Sequence, residues 1–187
     1  MNRTKKELKR NLFKLVRSNI ENKEALSLAI CKKLLGSEIY KNSDEVFLYA
    51  SAGSEVSTDM ILGKAFADGK KVAFPRCMDK EGNMEFYYVK AYDELQIGYY
   101  GIMTPPADFC AHFGSEHTLC IVPGIAFSKD GYRIGYGKGY YDRFLSGFKG
   151  VSVGFCYSQC LTDTLPVDET DKKVDYLITD KKIYDFT

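Results

Sequence analysis

The sequence contains no tryptophan, only two histidines (His112 and His117) and five prolines in 187 residues. With so few histidines there is no recognisable nucleophilic triad. No stretch approaches the ~18 uninterrupted apolar residues of a membrane span. The basic start, MNRTKKELKR, lacks the apolar run that a secretory signal needs. An excess of one charge is missing too: 26 Lys+Arg face 25 Asp+Glu, a net of +1. That balance argues against nucleic-acid coating and against polybasic membrane binding. The six cysteines, at 31, 77, 110, 120, 156 and 160, form no CxxC pair and no Cys/His zinc spacing. Several, such as Cys120 in LCIVPG, read as buried free thiols. These absences predict a cytoplasmic monomer without structural zinc, contacting neither nucleic acid nor membrane.

Present instead is a 45% apolar fraction, enough for a real core, with 27% charged residues. That composition excludes a disordered chain, and the length predicts one domain spanning residues 1–187. The aromatic content is the unusual part, with 14 Tyr and 12 Phe. Tyrosine-rich surfaces bind flat ligands, but tyrosine also fills ordinary cores.

Periodicity predicts a first helix with Thr4 and Glu7 as a capping box and Leu8, Leu12, Leu15 and Val16 as its apolar face. A second helix is predicted over 23–35, with Leu26, Ile30 and Leu34 inward and Gly36 as its stop. EVFLYA (45–50) reads as a strand buried on both faces. Thr58 caps a further helix that closes at Gly69. Strands follow at 71–75, 84–92, 119–124, 151–157 and 174–180, and YYDRFLSG reads as a helix. Strands alternating with helices predict an α/β layered helix-sheet-helix domain with a mostly parallel central sheet. Residues 96–117 read as a long connection, and Phe47, Phe66 and Phe74 as core.

The segment with most chemistry is IVPGIAFSKDGYRIGYGKGYYDRFL (121–145). Gly131, Gly135, Gly137 and Gly139 fall within nine residues, so successive backbone N–H groups can turn toward one centre. Arg133 and Lys138 add positive charge, and the loop runs into a helix N-terminus at Tyr140. This is the electrostatic description of a polyphosphate site. Lys138 is followed by Gly139, so a P-loop fails, and Tyr140 breaks a GxGxxG fingerprint. Asp142 reads equally as a first-turn helix acid or as a ligand for a hard cation.

The run Pro123, Gly124, Phe127, Gly131, Arg133, Gly135, Gly137, Gly139, Tyr140, Tyr141 and Asp142 resembles the hallmark of the 5-formyltetrahydrofolate cyclo-ligase family. The likeness extends to Lys5 with Leu8, to Glu55, Val56 and Thr58, to Pro75 and Arg76, and to Asp171, Val174 and Asp175. It implies ATP- and Mg²⁺-dependent conversion of 5-formyltetrahydrofolate to 5,10-methenyltetrahydrofolate, with release of ADP and phosphate. The resemblance further implies ATP contacts from Lys5, Lys9, Arg133, Ile134, Gly135, Tyr136, Gly137, Lys138, Gly139, Tyr140 and Tyr141. Arg133 and Lys138 would be the catalytic cations. Folate contacts are implied for Glu55, Tyr136, Gly137, Lys138, Gly139 and Tyr140, and Mg²⁺ ligation for Asp142 and Asp171. Tyr99 and Tyr100 would also be placed to flank a pterin. Only the resemblance distinguishes Asp171 from Asp168 and Asp175. Three departures stand out: Lys9 where the family usually has Arg, and Thr118 and Ser128 where it commonly has Asp. The alternatives are an inactive folate-binding relative, or another phosphate-ligand enzyme on a similar α/β scaffold.

Overall fold

The computed structural model describes residues 2–98, 101–106 and 111–187. Tyr99, Tyr100 and Cys110, singled out above, lie outside the described residues. The central sheet is built on β1 (Glu45–Phe47), whose Val46 and Phe47 are fully buried, as is Leu48 beyond it. A continuous apolar run suits a strand covered on both faces, and β1 lies in the middle of an eight-stranded sheet. The order is β13-β12-β10-β7-β1-β2-β3-β6. The strands are β2 (Lys71–Cys77), β3 (Met84–Val89), β6 (Ala111–His112), β7 (Thr118–Val122), β10 (Val151–Cys156), β12 (Tyr176–Thr179) and β13 (Ile183–Asp185). The inner pairs β12/β10, β10/β7, β7/β1 and β1/β2 are parallel. The edges are antiparallel through β12/β13, β2/β3 and β3/β6. The expected mostly parallel α/β sheet is the observed one.

Helix α4 (Asp59–Ala67) carries the β1-to-β2 crossover, and α5 (Tyr140–Gly147) lies in the connection from β7 to β10. From the β7/β1 pair these crossovers run in opposite directions along the sheet. Right-handed connections then put α4 and α5 on opposite faces. The carboxyl ends of β1 and β7 therefore flank a topological switch point, where open α/β sheets leave a crevice for ligands.

Under α5 the aromatic surplus finds part of its explanation. Phe47 and Phe86 stack at 4.5 Å, and Phe144 lies 4.7 Å from Phe86 and 5.1 Å from Phe148. Such pairs contribute about 0.5–1.5 kcal/mol each beyond area burial. Phe47 and Phe74 are core as expected, and Phe66 packs against it. Cys31, Cys120, Cys156 and Cys160 are buried free thiols and Cys77 is half-buried. Burial pushes the Cys31 thiol up to about 12, so it carries no nucleophile at neutral pH.

Three expectations need correction. Helix α1 (Asn2–Ser18) is already helical at Asn2, so Thr4 lies inside it and is not its cap. Leu8, Leu12 and Leu15, expected to face the core, are 65%, 52% and 62% exposed. At ~100° per residue they lie roughly opposite Lys6, Arg10, Phe13 and Arg17, and that stripe faces the protein. Its target is a polar loop, described below, so the basic stripe turns inward. Gly36 is the C-cap of α2 (Lys23–Leu35) as expected, although in the right-handed region at φ −79°, and the short helix α3 (Glu38–Lys41) comes next. Thr58 precedes α4 without capping it: its hydroxyl donates to the Tyr49 carbonyl at 2.8 Å.

The connection around 96–117 contains the small pair β4 (Gln96–Ile97) and β5 (Met103–Thr104), besides β6. A second small sheet, unforeseen from sequence, joins β8 (Ala126–Ser128), β9 (Arg133–Ile134) and β11 (Leu161–Thr162). β8 and β9 are antiparallel and deliver the glycine-rich segment to the crevice. Ser128 and Thr118 are both buried hydroxyls with partners. Ser128 donates to Asp130, and Thr118 donates to Glu45 Oε2 at 2.8 Å.

Candidate active site

Two loops face each other across the β7/β1 crevice. The first follows β1 and carries Glu55. Four buried or half-buried hydroxyls hold its backbone. Tyr49 donates to the Val56 carbonyl at 2.7 Å, Tyr157 to the Glu55 carbonyl at 3.1 Å, and Thr58 as above. Ser27 Oγ accepts from the Ser57 amide at 3.1 Å. Each of these bonds satisfies a group that would otherwise be costly to bury. Part of the tyrosine surplus is thus scaffolding for this loop. Glu55 Oε2 accepts from the Ala52 amide at 3.0 Å. Burial is the main influence on its carboxyl and holds it above the usual carboxylate range. The Ala52 amide, the Arg17 charge and a hydrogen bond from Tyr136 oppose that shift.

The second loop is the glycine-rich turn between β9 and α5. Gly137 and Gly139 have φ of +94° and +73°, a region open to glycine and strained for other residues. At Gly137 a Cβ would come within 2.9 Å of Arg10 Nη2. Arg10 Nε donates to the Gly135 carbonyl at 2.8 Å, so helix α1 closes on the loop there. Lys138 is exposed, and its carbonyl accepts from Arg143 Nη1 at 2.8 Å. Tyr140 donates to the Asp79 carbonyl at 2.6 Å, tying the β2–β3 hairpin to the same loop. Tyr136 is 59% exposed. Tyr141, in the first turn of α5, has its hydroxyl buried and without a partner among the described residues.

The two acids implied as metal ligands come together. The Lys172 amide, next to Asp171, donates to Asp142 Oδ1 at 3.1 Å. Arg133 Nη2 donates to the same oxygen at 2.9 Å, and its Nη1 to the Lys172 carbonyl at 2.8 Å. Asp171 Oδ2 accepts from the Asp168 amide at 2.6 Å and lies 2.5 Å from Lys6 Nζ. Each carboxylate thus keeps a second oxygen that takes no hydrogen bond among the described residues. Two adjacent half-buried carboxylates, each balanced by a cation, fit a Mg²⁺ ion that completes its shell with water and phosphate oxygens. Among the described residues no group of three or more His, Cys, Asp or Glu could hold a metal.

Arg133 differs from expectation in its surroundings. Its side chain is 5% exposed and spent on Asp142 and Lys172, so in the free protein it tethers the acidic pair. On α1, Lys5 is exposed, and Lys9 lies 5.8 Å from the Phe13 ring centroid. Lys6, Arg10 and Arg17 make the contacts with the loops, and sequence reasoning did not single them out for the site. Their spacing, with Phe13, at i, i+4, i+7 and i+11 is one helix face and was the available signal. The histidines are uninvolved: His112 lies 3.9 Å from the Tyr88 ring, and His117 is exposed. No helix among the described residues is long and apolar enough to cross a membrane.

A sequence profile of the 5-formyltetrahydrofolate cyclo-ligase family matches residues 2–180. The chain belongs to that family. It is a ligase of folate one-carbon metabolism on the same grounds. It is 31% identical over 177 residues to a probable 5-formyltetrahydrofolate cyclo-ligase of Schizosaccharomyces pombe, covering 86% of each chain. With the 5-formyltetrahydrofolate cyclo-ligase of Mus musculus it shares 26% identity, covering 95% of this chain and 94% of the other. The solved Aquifex aeolicus 5,10-methenyltetrahydrofolate synthetase superposes with a TM-score of 0.84 at 31% identity, covering 97% of this chain and 92% of that one.

Proposed function

We propose that the chain, acting as one domain, converts 5-formyltetrahydrofolate to 5,10-methenyltetrahydrofolate at the expense of ATP in the presence of Mg²⁺. The observation that carries this is the meeting of a carboxylate loop and a cationic glycine loop at the β7/β1 switch point. A formamide carbonyl is a poor electrophile because the nitrogen lone pair is delocalised into it. Transfer of the γ-phosphoryl group to the formyl oxygen turns that oxygen into a leaving group and releases ADP. Folate N10 then attacks the formyl carbon, and the ring closes with loss of phosphate. Such chemistry asks the protein for positioning and charge neutralisation, not for a nucleophile.

In this reading the turned N–H groups of residues 135–139 receive the phosphates, and Lys138 adds a point charge from solvent. Lys5 and Lys9, flanking the buried stripe of α1, reach the phosphates when ATP arrives. Lys6 and Arg10 hold Asp171 and the loop from below. Arg133, Ile134, Tyr140 and Tyr141 shape the nucleotide side. Asp142 and Asp171 would hold Mg²⁺, which when bound neutralises charge on the phosphate oxygens. Glu55 accepts the N–H donors of the pterin, and Tyr136, with the 137–140 backbone, borders it. The test is one reaction mixture of protein, Mg-ATP and 5-formyltetrahydrofolate, followed for methenyl-folate absorbance and ADP together. Both products are expected in equal amounts; folded protein that makes neither would overturn the proposal.

A further inference from the structure

Arg17 is 5% exposed, on a helix whose leucines face solvent. A guanidinium withdrawn from water is costly unless its N–H groups find acceptors, and Arg17 spends its donors on three separate segments. Nε donates to Ser54 Oγ at 3.1 Å, Nη1 to the Gly124 carbonyl at 3.0 Å, and Nη2 to the Tyr136 hydroxyl at 2.8 Å. Ser54 precedes Glu55, Gly124 lies just beyond β7, and Tyr136 sits within the glycine loop. The Tyr136 phenol accepts from Arg17, and the Arg17 charge and the Tyr136 hydroxyl both favour the ionised form of Glu55. Arg17 and Glu55 also line one small pocket with Gly124 and Tyr157. With its ring 59% exposed, Tyr136 is anchored at its hydroxyl.

We infer that Arg17 is a positioning residue: through Ser54 and the Tyr136 phenol it fixes the Glu55 carboxylate and the Tyr136 ring in one arrangement, and so shapes the folate subsite. The inference rests on the reading of Glu55 and Tyr136 as folate contacts. Only the planar fork of arginine can span three acceptors at these angles; a lysine ammonium is a single point on a flexible stem. The groups facing Glu55 are Arg17 from α1, Tyr49 from the end of β1, Tyr136 from the glycine loop, Tyr141 from α5 and Tyr157 beyond β10.

The experiment compares Arg17→Gln, Arg17→Lys, Tyr136→Phe and the Arg17→Gln/Tyr136→Phe double variant. It measures KM for 5-formyltetrahydrofolate and for ATP, and follows the Glu55 carboxyl by NMR titration without ligands. Arg17→Gln should raise the folate KM about ten- to a hundredfold and leave the ATP KM within about twofold. Loss of the charge should also move the Glu55 titration upward. Arg17→Lys keeps the charge, so it should raise the folate KM with the titration close to native. Tyr136→Phe should raise the folate KM as well, and the double variant should be no worse than the more damaging single, because the two residues act as one chain of contacts. An unchanged folate KM in Arg17→Gln, or effects that multiply in the double variant, would overturn the inference. If Arg17→Gln does not fold, Arg17→Lys and Tyr136→Phe decide it by the same folate KM. If Glu55→Gln leaves the folate KM unchanged, the folate reading itself fails. The titration then decides positioning alone, and an unmoved Glu55 in Arg17→Gln rejects it.

Discussion

The Lys6 ammonium lies 2.5 Å from Asp171 Oδ2, whereas Lys5, its neighbour in sequence, lies in solvent. The Lys6 and Asp171 side chains are 18% and 19% exposed, so the pair is better shielded than a surface bridge. Burial works to lower the Lys6 pKa, but hydrogen bonds and charges from Asp168 and Asp171 outweigh it and raise it above its ordinary 10.5. A raised pKa means that the stabilisation is complete below the unfolded value and is lost as pH climbs through the folded one. Lys6→Met should therefore cost about 1 kcal/mol at neutral pH. The loss should fade only in the alkaline range. Thermal melts of both proteins from pH 6 to 11 check this; a difference that already vanishes at pH 8 would contradict it.

Glu55 has a linkage of the same sign, set in the acid range. Burial raises its pKa above the ordinary 4.5, so its contribution to stability is present below that value and is lost as pH rises through the folded pKa. At neutral pH an ionised Glu55 is a burden that the loop tolerates for binding. Glu55→Gln should melt higher than the native protein at pH 7 and equal it near pH 4, while the folate KM rises about tenfold or more. Melts at the two pH values, with kinetics, separate the stability gain from the functional loss.

The inner strands were legible because burial on both faces demands continuous apolar runs, and EVFLYA and LCIVPG are such runs. The glycine loop was legible because positive φ leaves few alternatives to glycine. Helix α1 was not. It carries two stripes at the same period, Leu8, Leu12 and Leu15 on one side and Lys6, Arg10, Phe13 and Arg17 on the other. Periodicity shows that the stripes exist, and hydrophobicity favours the leucines. Only the polar loop beneath the helix, known from tertiary structure, selects the basic stripe. The acids near the C-terminus pose the same difficulty. Asp175 Oδ2 accepts from the Ser152 amide at 2.8 Å and its hydroxyl at 2.6 Å, while Asp171 meets Lys6 beside Asp142. No local pattern separates them. The strands β8, β9 and β11 are two or three residues long, too short for alternation to register.

The β2–β3 hairpin bears on the glycine loop through Gly82. Its φ is +110°, and a Cβ there would come within 2.6 Å of the Lys138 carbonyl and also meet the Arg143 guanidinium. Arg143 could swing aside, but the Lys138 backbone cannot move without disturbing residues 137–139. Gly82→Ala should destabilise by about 1–3 kcal/mol. It should also raise the ATP KM more than the folate KM. A variant with native melting and native ATP KM would show that the hairpin does not constrain the loop.

Asp142→Asn tests the metal role without dismantling the scaffold. Asp142 Oδ1 accepts from Arg133 and from the Lys172 amide, and an asparagine carbonyl oxygen can accept both. Packing and the link between the glycine loop and the 171–172 segment should therefore persist. What disappears is a negative charge and the second carboxylate oxygen, the one free for a hard cation. The Mg²⁺ concentration for half-maximal turnover should rise about tenfold or more, kcat should fall, and folate binding measured without nucleotide should stay within about twofold of native. Asp142→Ala removes the acceptor as well, so it should add a loss of thermal stability that Asp142→Asn lacks. If Asp142→Asn weakens folate binding and leaves the Mg²⁺ requirement unmoved, Asp142 serves the fold of the loop and the metal lies elsewhere.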